Sequence, residues 1–255
     1  MSTPVPVRDA ATVVLLRDGA DGLETWLLTR VTQMAFAAGM TVFPGGRVDD
    51  ADAALPMAGD VAAVAARLGC PDELARALVG AAVRETFEET GVLLSVPPAT
   101  PTMSSPEDRA DVESGRLAFG DLLARHDLSV DVSAVAPWSR WVTPEGESRR
   151  YDTRFFVGTL PEGAEPADVT TESSAAAWLP IGTALEQAQR GERKILPPTM
   201  VTLLAIQACG TVDEVLRAAP AQAMDPVRPT LRVDDDGSVT VTLPDGAVHS
   251  LPGRP

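Results

Sequence analysis

The apolar positions of this chain form short β-branched runs in some places and helically spaced stripes in others. Residues 11–16 and 23–29 are apolar runs separated by Arg17-Asp18-Gly19-Ala20-Asp21-Gly22, whose Asp-Gly pairs supply turn chemistry, so the pattern predicts a β-hairpin. Residues 40–43 form a short apolar piece entering Pro44-Gly45-Gly46, where paired glycines let the backbone turn sharply or approach a ligand closely. Residues 61–68 have a helical composition stopped by Gly69. Pro71 and Asp72 then open a longer helix to about Thr90, with Leu74, Leu78, Ala81 and Ala82 as its core stripe and Gly91 as its stop.

Further along, residues 92–96 read as a strand, 97–105 as a loop, and 106–126 as one or two helices with Ser105 as N-cap. Residues 138–142, 154–160 and 175–179 read as strands, and 181–190, 199–208 and 212–218 as helices. From 231 to 251, Val239, Val241 and Leu243 alternate with threonines between Asp-Gly pairs, the signal of a hairpin or three-strand meander. This mixture predicts an α+β fold, an α/β/α sandwich.

Composition narrows the class. With 255 residues, 45% of them hydrophobic, the chain can bury the core of one elaborated domain. We place that domain over residues 8–208, with 209–255 as a helix and hairpin extension that packs on it or on a second copy of the chain, making a homodimer a candidate assembly. The 36 acidic against 21 basic residues give a net charge of -15, which disfavours nucleic-acid polymers and anionic membrane surfaces as partners. A small anionic substrate stays open, because a bound divalent cation inverts the local potential. The 2 cysteines, Cys70 and Cys209, are too few for a disulfide framework and are expected as free thiols. No run of about 18 apolar residues and no leader pattern appears, so the expected location is the cytoplasm.

The candidate chemistry lies in Arg84-Glu85-Thr86-Phe87-Glu88-Glu89-Thr90-Gly91-Val92. Glu85, Glu88 and Glu89 stand at i, i+3 and i+4, so three carboxylates share one helix face. Taken alone, this pattern also describes a solvated acidic face. A divalent cation would offset the repulsion, and hard oxygen ligands beside phosphate suit Mg²⁺ or Mn²⁺. Arg84, four residues before Glu88, can pair with it.

This string resembles the second half of the Nudix box, G-x5-E-x7-R-E-U-x-E-E-x-G-U, in which U is a bulky aliphatic residue; Thr86 departs at the first U. Phe43-Pro44-Gly45-Gly46 resembles the opening glycine loop, with Asp52 in the place of the first glutamate. Asp52 and Arg84 lie 32 positions apart, against 8 in an uninterrupted box, so 24 residues are inserted, at about residues 53–76. An insertion at this point is similar to the Nudix subgroup that includes peroxisomal coenzyme A diphosphatases. The resemblance covers about residues 10–208 and includes Trp138 to Pro144 and Arg149 to Phe156.

The resemblance implies a Nudix-like mixed sheet flanked by helices and a metal-dependent hydrolase acting on a small nucleoside diphosphate derivative. Glu85, Glu88, Glu89 and the Gly46 carbonyl are then the metal ligands, with Glu85, Arg84 and Glu88 as catalytic residues and Glu85 as the base or water-orienting group. Arg30, Arg149 and Arg150 are the substrate-side candidates, since arginine forks match phosphate oxygens, and Glu172 is the candidate for the further acidic residue that such enzymes often recruit from a distant loop. Trp138 and Trp141 are expected in the core. Leu27-Leu28-Thr29-Arg30, Gly39 and the Phe43 loop also match the ends of a coenzyme A-related signature, whereas Ala35 stands where that signature has its second arginine. The alternatives are ADP-ribose, NADH or a dinucleotide as substrate, a nucleotide-sensing module without turnover, and a structural protein.

Overall fold

The computed structural model describes residues 5–31, 39–99, 103, 105–145, 147–167, 173–235, 238–244 and 246–251. In chain order the first half comprises β1 (Val7–Gly19), β2 (Gly22–Arg30), β3 (Thr41–Val42), β4 (Gly45–Arg47), β5 (Met57–Ala58), α1 (Val61–Leu68), α2 (Asp72–Thr90), β6 (Ser95–Val96), α3 (Pro106–Glu113) and α4 (Phe119–Arg125). The second half comprises β7 (Ser129–Asp131), β8 (Val135–Val142), β9 (Arg150–Thr159), β10 (Ser173–Pro180), α5 (Ile181–Gln189), α6 (Pro197–Gln207), α7 (Val212–Ala218), β11 (Pro226–Val227), β12 (Thr230–Val233), β13 (Val239–Thr242) and β14 (Val248–Leu251).

A mixed sheet runs in the order β10-β2-β1-β9-β8-β11, with β3 on β2 and β4 on β1. The expected hairpin is β1 and β2, closed at the Gly19–Gly22 pair. Before that turn β1 runs parallel to β9 from Val7 to Leu16, while its first half also pairs with β4. Residues alternate across β1: Ala11, Val13 and Leu15 enter one core with α2, α1 and α4, and Val14 and Leu16 enter the other with α5, α6 and α7. The period of two thus puts helices on both faces, giving the expected α/β/α sandwich. This is an α+β, Nudix-like fold.

Local signals set the helix ends. The Asp60 carboxylate accepts from the Ala63 amide at the start of α1, and Gly69 and Gly91 close α1 and α2 in the left-handed conformation. Ser105 caps α3 in a reciprocal capping box with Asp108. The segment expected as a strand over 92–96 enters a ladder only at Ser95, where β6 pairs with β7. Val92, Leu93 and Leu94 are buried core residues outside any ladder, and an irregular buried stretch carries the same apolar signature as a strand.

The insertion folds back onto α2. Its first turn, Asp52–Ala54, lies against Gly80, where a Cβ would stand 2.5 Å from the Asp52 carbonyl oxygen. Arg76 fastens it by donating Nε to the Ala53 carbonyl (2.8 Å) and Nη2 to the Leu55 carbonyl (2.7 Å). The chain after Gln207 adds to the same molecule: Val212, Val215 and Ala219 join the second core, β11 lengthens the sheet beside β8, and β12-β13-β14 form the meander, with Val241 buried. Cys70 and Cys209 are free, and burial pushes both thiols up. No single helix among the described residues is long and apolar enough to cross a membrane.

Candidate active site

The second half of α2 faces the glycine loop across one end of a cleft of 520 Å³. Spacing on α2 brings Glu85, Glu88 and Glu89 together, as their i, i+3, i+4 positions require. Between them stands Arg84, with an acceptor for each of its five N–H groups. Nε meets Asp52 Oδ1 at 2.8 Å, and Nη2 meets Asp52 Oδ2 at 3.0 Å and the Arg47 carbonyl at 2.9 Å. Nη1 meets Glu85 Oε1 at 2.8 Å and Glu88 Oε1 at 3.2 Å, the latter being the expected i, i+4 pair. Arg84 therefore orients the carboxylates rather than reaching for a substrate, and Asp52, 1% exposed, is its buried counter-ion.

The glycine loop serves the other two glutamates. The Gly45 amide donates to Glu89 Oε2 at 2.9 Å. Glu85 packs directly on Gly46, where a Cβ would stand 2.5 Å from the carboxyl carbon, so any side chain there would displace the Glu85 carboxylate from its present position. Burial, outweighing the pull of Arg84, pushes the Glu85 carboxyl up to about 7, with the Glu88 charge adding to the rise. Glu88 is raised by burial as well. For Arg84, burial opposes the charge, but its bonds to Asp52 and the charges of Glu85, Asp52 and Glu88 hold the guanidinium above its ordinary value.

A family model described as the NUDT19 Nudix domain matches residues 57–206. The chain belongs to the Nudix hydrolase family. The match begins inside the insertion and includes the acidic helix. The acyl-coenzyme A diphosphatase NUDT19 of Gallus gallus is 28% identical over 304 residues, covering 96% of this chain and 78% of that protein. Its Homo sapiens counterpart is 28% identical over 187 residues, covering 68% of this chain and 48% of that protein. The crystal structure of a NUDIX hydrolase from Alicyclobacillus acidocaldarius superposes with a TM-score of 0.72 at 31% identity, covering 87% of this chain and 99% of that one. The protein is thus a Nudix-type hydrolase.

Nudix hydrolases generally use divalent metals, and the donors here fit one. Asp49, Glu85, Glu88 and Glu89 line the cleft beside Arg84, which is already shared with Asp52, so hard carboxylate oxygens and excess negative charge face the same space. Among the described residues no three His, Cys, Asp or Glu side chains are already drawn together as a metal-binding group. The reason is visible: Arg84 stands between Glu85 and Glu88, and Glu89 is turned to the Gly45 amide.

The facing wall holds some of the expected substrate residues. Arg30 and Arg149 both line the cleft, Arg149 with its side chain exposed. Arg150 does not line it: its Nε donates to the Thr143 carbonyl at 3.2 Å, which ties the side chain to the turn before it. Arg149 lies in the bend before β9 and Arg150 is the first residue of that strand, so the two side chains do not act as a pair on one phosphate. Glu172 and Ala35 lie outside the described residues. Trp138 and Trp141 are core residues as expected, but Trp141 also lines the cleft.

Sequence reasoning missed Asp49, Tyr151, the start of α6 at Leu196 to Thr199, and Pro229. Asp49, three residues after Gly46, was open to discovery as an acid of the same loop. The others carry no local signal, because separate elements bring them to the cleft.

Proposed function

We propose that this protein hydrolyses the diphosphate of coenzyme A or an acyl-coenzyme A, with Mg²⁺ or Mn²⁺ as cofactor. The observation that carries the reading is the face of Glu85, Glu88 and Glu89 at one side of a cleft whose other side offers Arg30 and Arg149. The names of the chicken and human relatives support the substrate class. Glu85, Glu88 and Glu89 would hold the cation, with the Gly46 carbonyl as a further ligand. When bound, the cation neutralises charge on the phosphoryl oxygens and lowers the pKa of a coordinated water.

The chain's own residues supply the rest. Arg84 fixes Glu85 and Glu88 in one orientation, and the Gly45 amide fixes Glu89. Glu85, against Gly46, would orient the attacking water and take its proton. Attack at one phosphorus breaks the bridging P–O bond, and each fragment leaves with a terminal phosphate. Arg149 and Arg30 offer positive charge to the substrate on the far wall.

The departure at Ala35 from the coenzyme A-related signature favours a second reading, cleavage of ADP-ribose, NADH or a dinucleotide. A panel of coenzyme A, acyl-coenzyme A, ADP-ribose, NADH and diadenosine polyphosphates, incubated with Mg²⁺, Mn²⁺ or chelator and read by mass-resolved products, separates them. Cation-dependent cleavage of coenzyme A or its acyl form is the expected result. Cleavage confined to another member moves the substrate, and silence from folded protein points to a nucleotide-sensing module.

A further inference from the structure

The box insertion and the C-terminal segment meet at one side chain. Arg67, in the last turn of α1, donates Nη2 to the Ala219 carbonyl at 3.0 Å and also to the Gln222 carbonyl. It is half-buried, and it forms no ion pair with a carboxylate among the described residues. On its other side α1 packs against α2, the helix that carries the glutamates.

The chain beyond Gln222 leads to the cleft. Pro226 and Val227 form β11, pairing with Arg140 and Trp141 at the edge of the sheet, and two residues later the buried Pro229 lines the cleft, as Trp141 does. A two-residue strand offers little against the entropy of the chain it orders. The carbonyl clamp at 219–222 holds the start of this path, and the β11 pairing holds its end.

We propose that Arg67 is a positioning residue: through the 219–222 turn and β11 it sets the wall formed by Pro229 and Trp141 at a fixed distance from the glutamates of α2. The insertion is then a strap between the two sides of the cleft. The part of this proposal that concerns substrate rests on the reading of the cleft given above.

The test uses the full chain with Arg67→Ala and, as the variant that keeps a cation near the carbonyls, Arg67→Lys. Hydrogen exchange should quicken at the Val227, Arg228 and Thr230 amides, those within 226–230 that carry a hydrogen, in Arg67→Ala, with the amides of residues 80–90 unchanged, and Arg67→Lys should fall between it and the unaltered protein. With coenzyme A and Mn²⁺, KM for Arg67→Ala should rise about tenfold while kcat stays within about twofold, the split expected when ground-state positioning is lost. Unchanged exchange at 226–230 in both variants would overturn the proposal. So would a fall in kcat at constant KM, which would place the effect of Arg67 on the glutamates. Exchange needs no turnover, so inactivity toward coenzyme A would count against the proposed substrate and leave the strap to be judged on exchange alone. Should Arg67→Ala fail to fold, Arg67→Lys carries both readouts.

Discussion

The carboxylate wall of the cleft comes from two turns of α2 with the glycine loop laid on them, whereas the facing wall is gathered from β2, the turn between β8 and β9, the start of α6 and the stretch after β11. On the first wall nearly every polar atom has a fixed partner: Arg84 with Asp52, Glu85 and Glu88, and Glu89 with the Gly45 amide. On the second, Arg149 is exposed and has no partner among the described residues. Chemistry at phosphorus tolerates little misplacement, which suits a rigid first wall. The second wall can change element by element without disturbing the carboxylate face.

Substitutions on the first wall should therefore affect turnover and stability, and those on the second should affect binding. The largest effect is expected for Glu89→Gln. The amide oxygen can still accept from Gly45, so melting should stay close to that of the unaltered protein while kcat falls about 1000-fold. Near-normal turnover would remove Glu89 from the cation site and blur the contrast between the walls.

Next comes Arg84→Met, which leaves Asp52 buried without its counter-ion and should cost about 3 kcal/mol in urea unfolding, as for other broken buried pairs. A loss below about 1 kcal/mol would show that Asp52 is reached by water or neutralised. Gly46→Ala should be milder. Its new methyl group displaces the Glu85 carboxylate, lowering turnover about 10- to 100-fold with the fold intact, because the displaced atoms end a flexible side chain.

The smallest effect belongs to the second wall. Arg149→Ala should raise KM about threefold to tenfold with kcat retained, measured by steady-state kinetics on the substrate that the panel identifies. Loss of kcat instead would mean that Arg149 acts on the transition state and belongs functionally with the first wall.

Much of this was legible in the residues. The spans of α1, α2 and α7 follow directly from caps, glycine stops and apolar stripes, because those signals act within a few residues. The shared face of Glu85, Glu88 and Glu89 follows from helical periodicity alone. The residues 92–94 did not follow, since burial leaves the same apolar mark whether or not a ladder forms. Arg149 and Arg150 looked equivalent in the chain and are separated by the turn that ties Arg150 to Thr143.

By itself, then, the sequence determined the carboxylate face and the two layers of helices through short-range spacing, and the family with its mixed sheet through the resemblance of its motifs to the Nudix box. Only the tertiary structure decided that Asp52 and Arg84, 32 positions apart, form one buried pair. It also decided that the insertion grips the C-terminal segment through Arg67, and that Pro229 and the start of α6 complete the cleft. The physical reason is common to all three. Hydrogen bonds and packing between distant elements depend on how the sheet and helices dock, and no local periodicity records that docking.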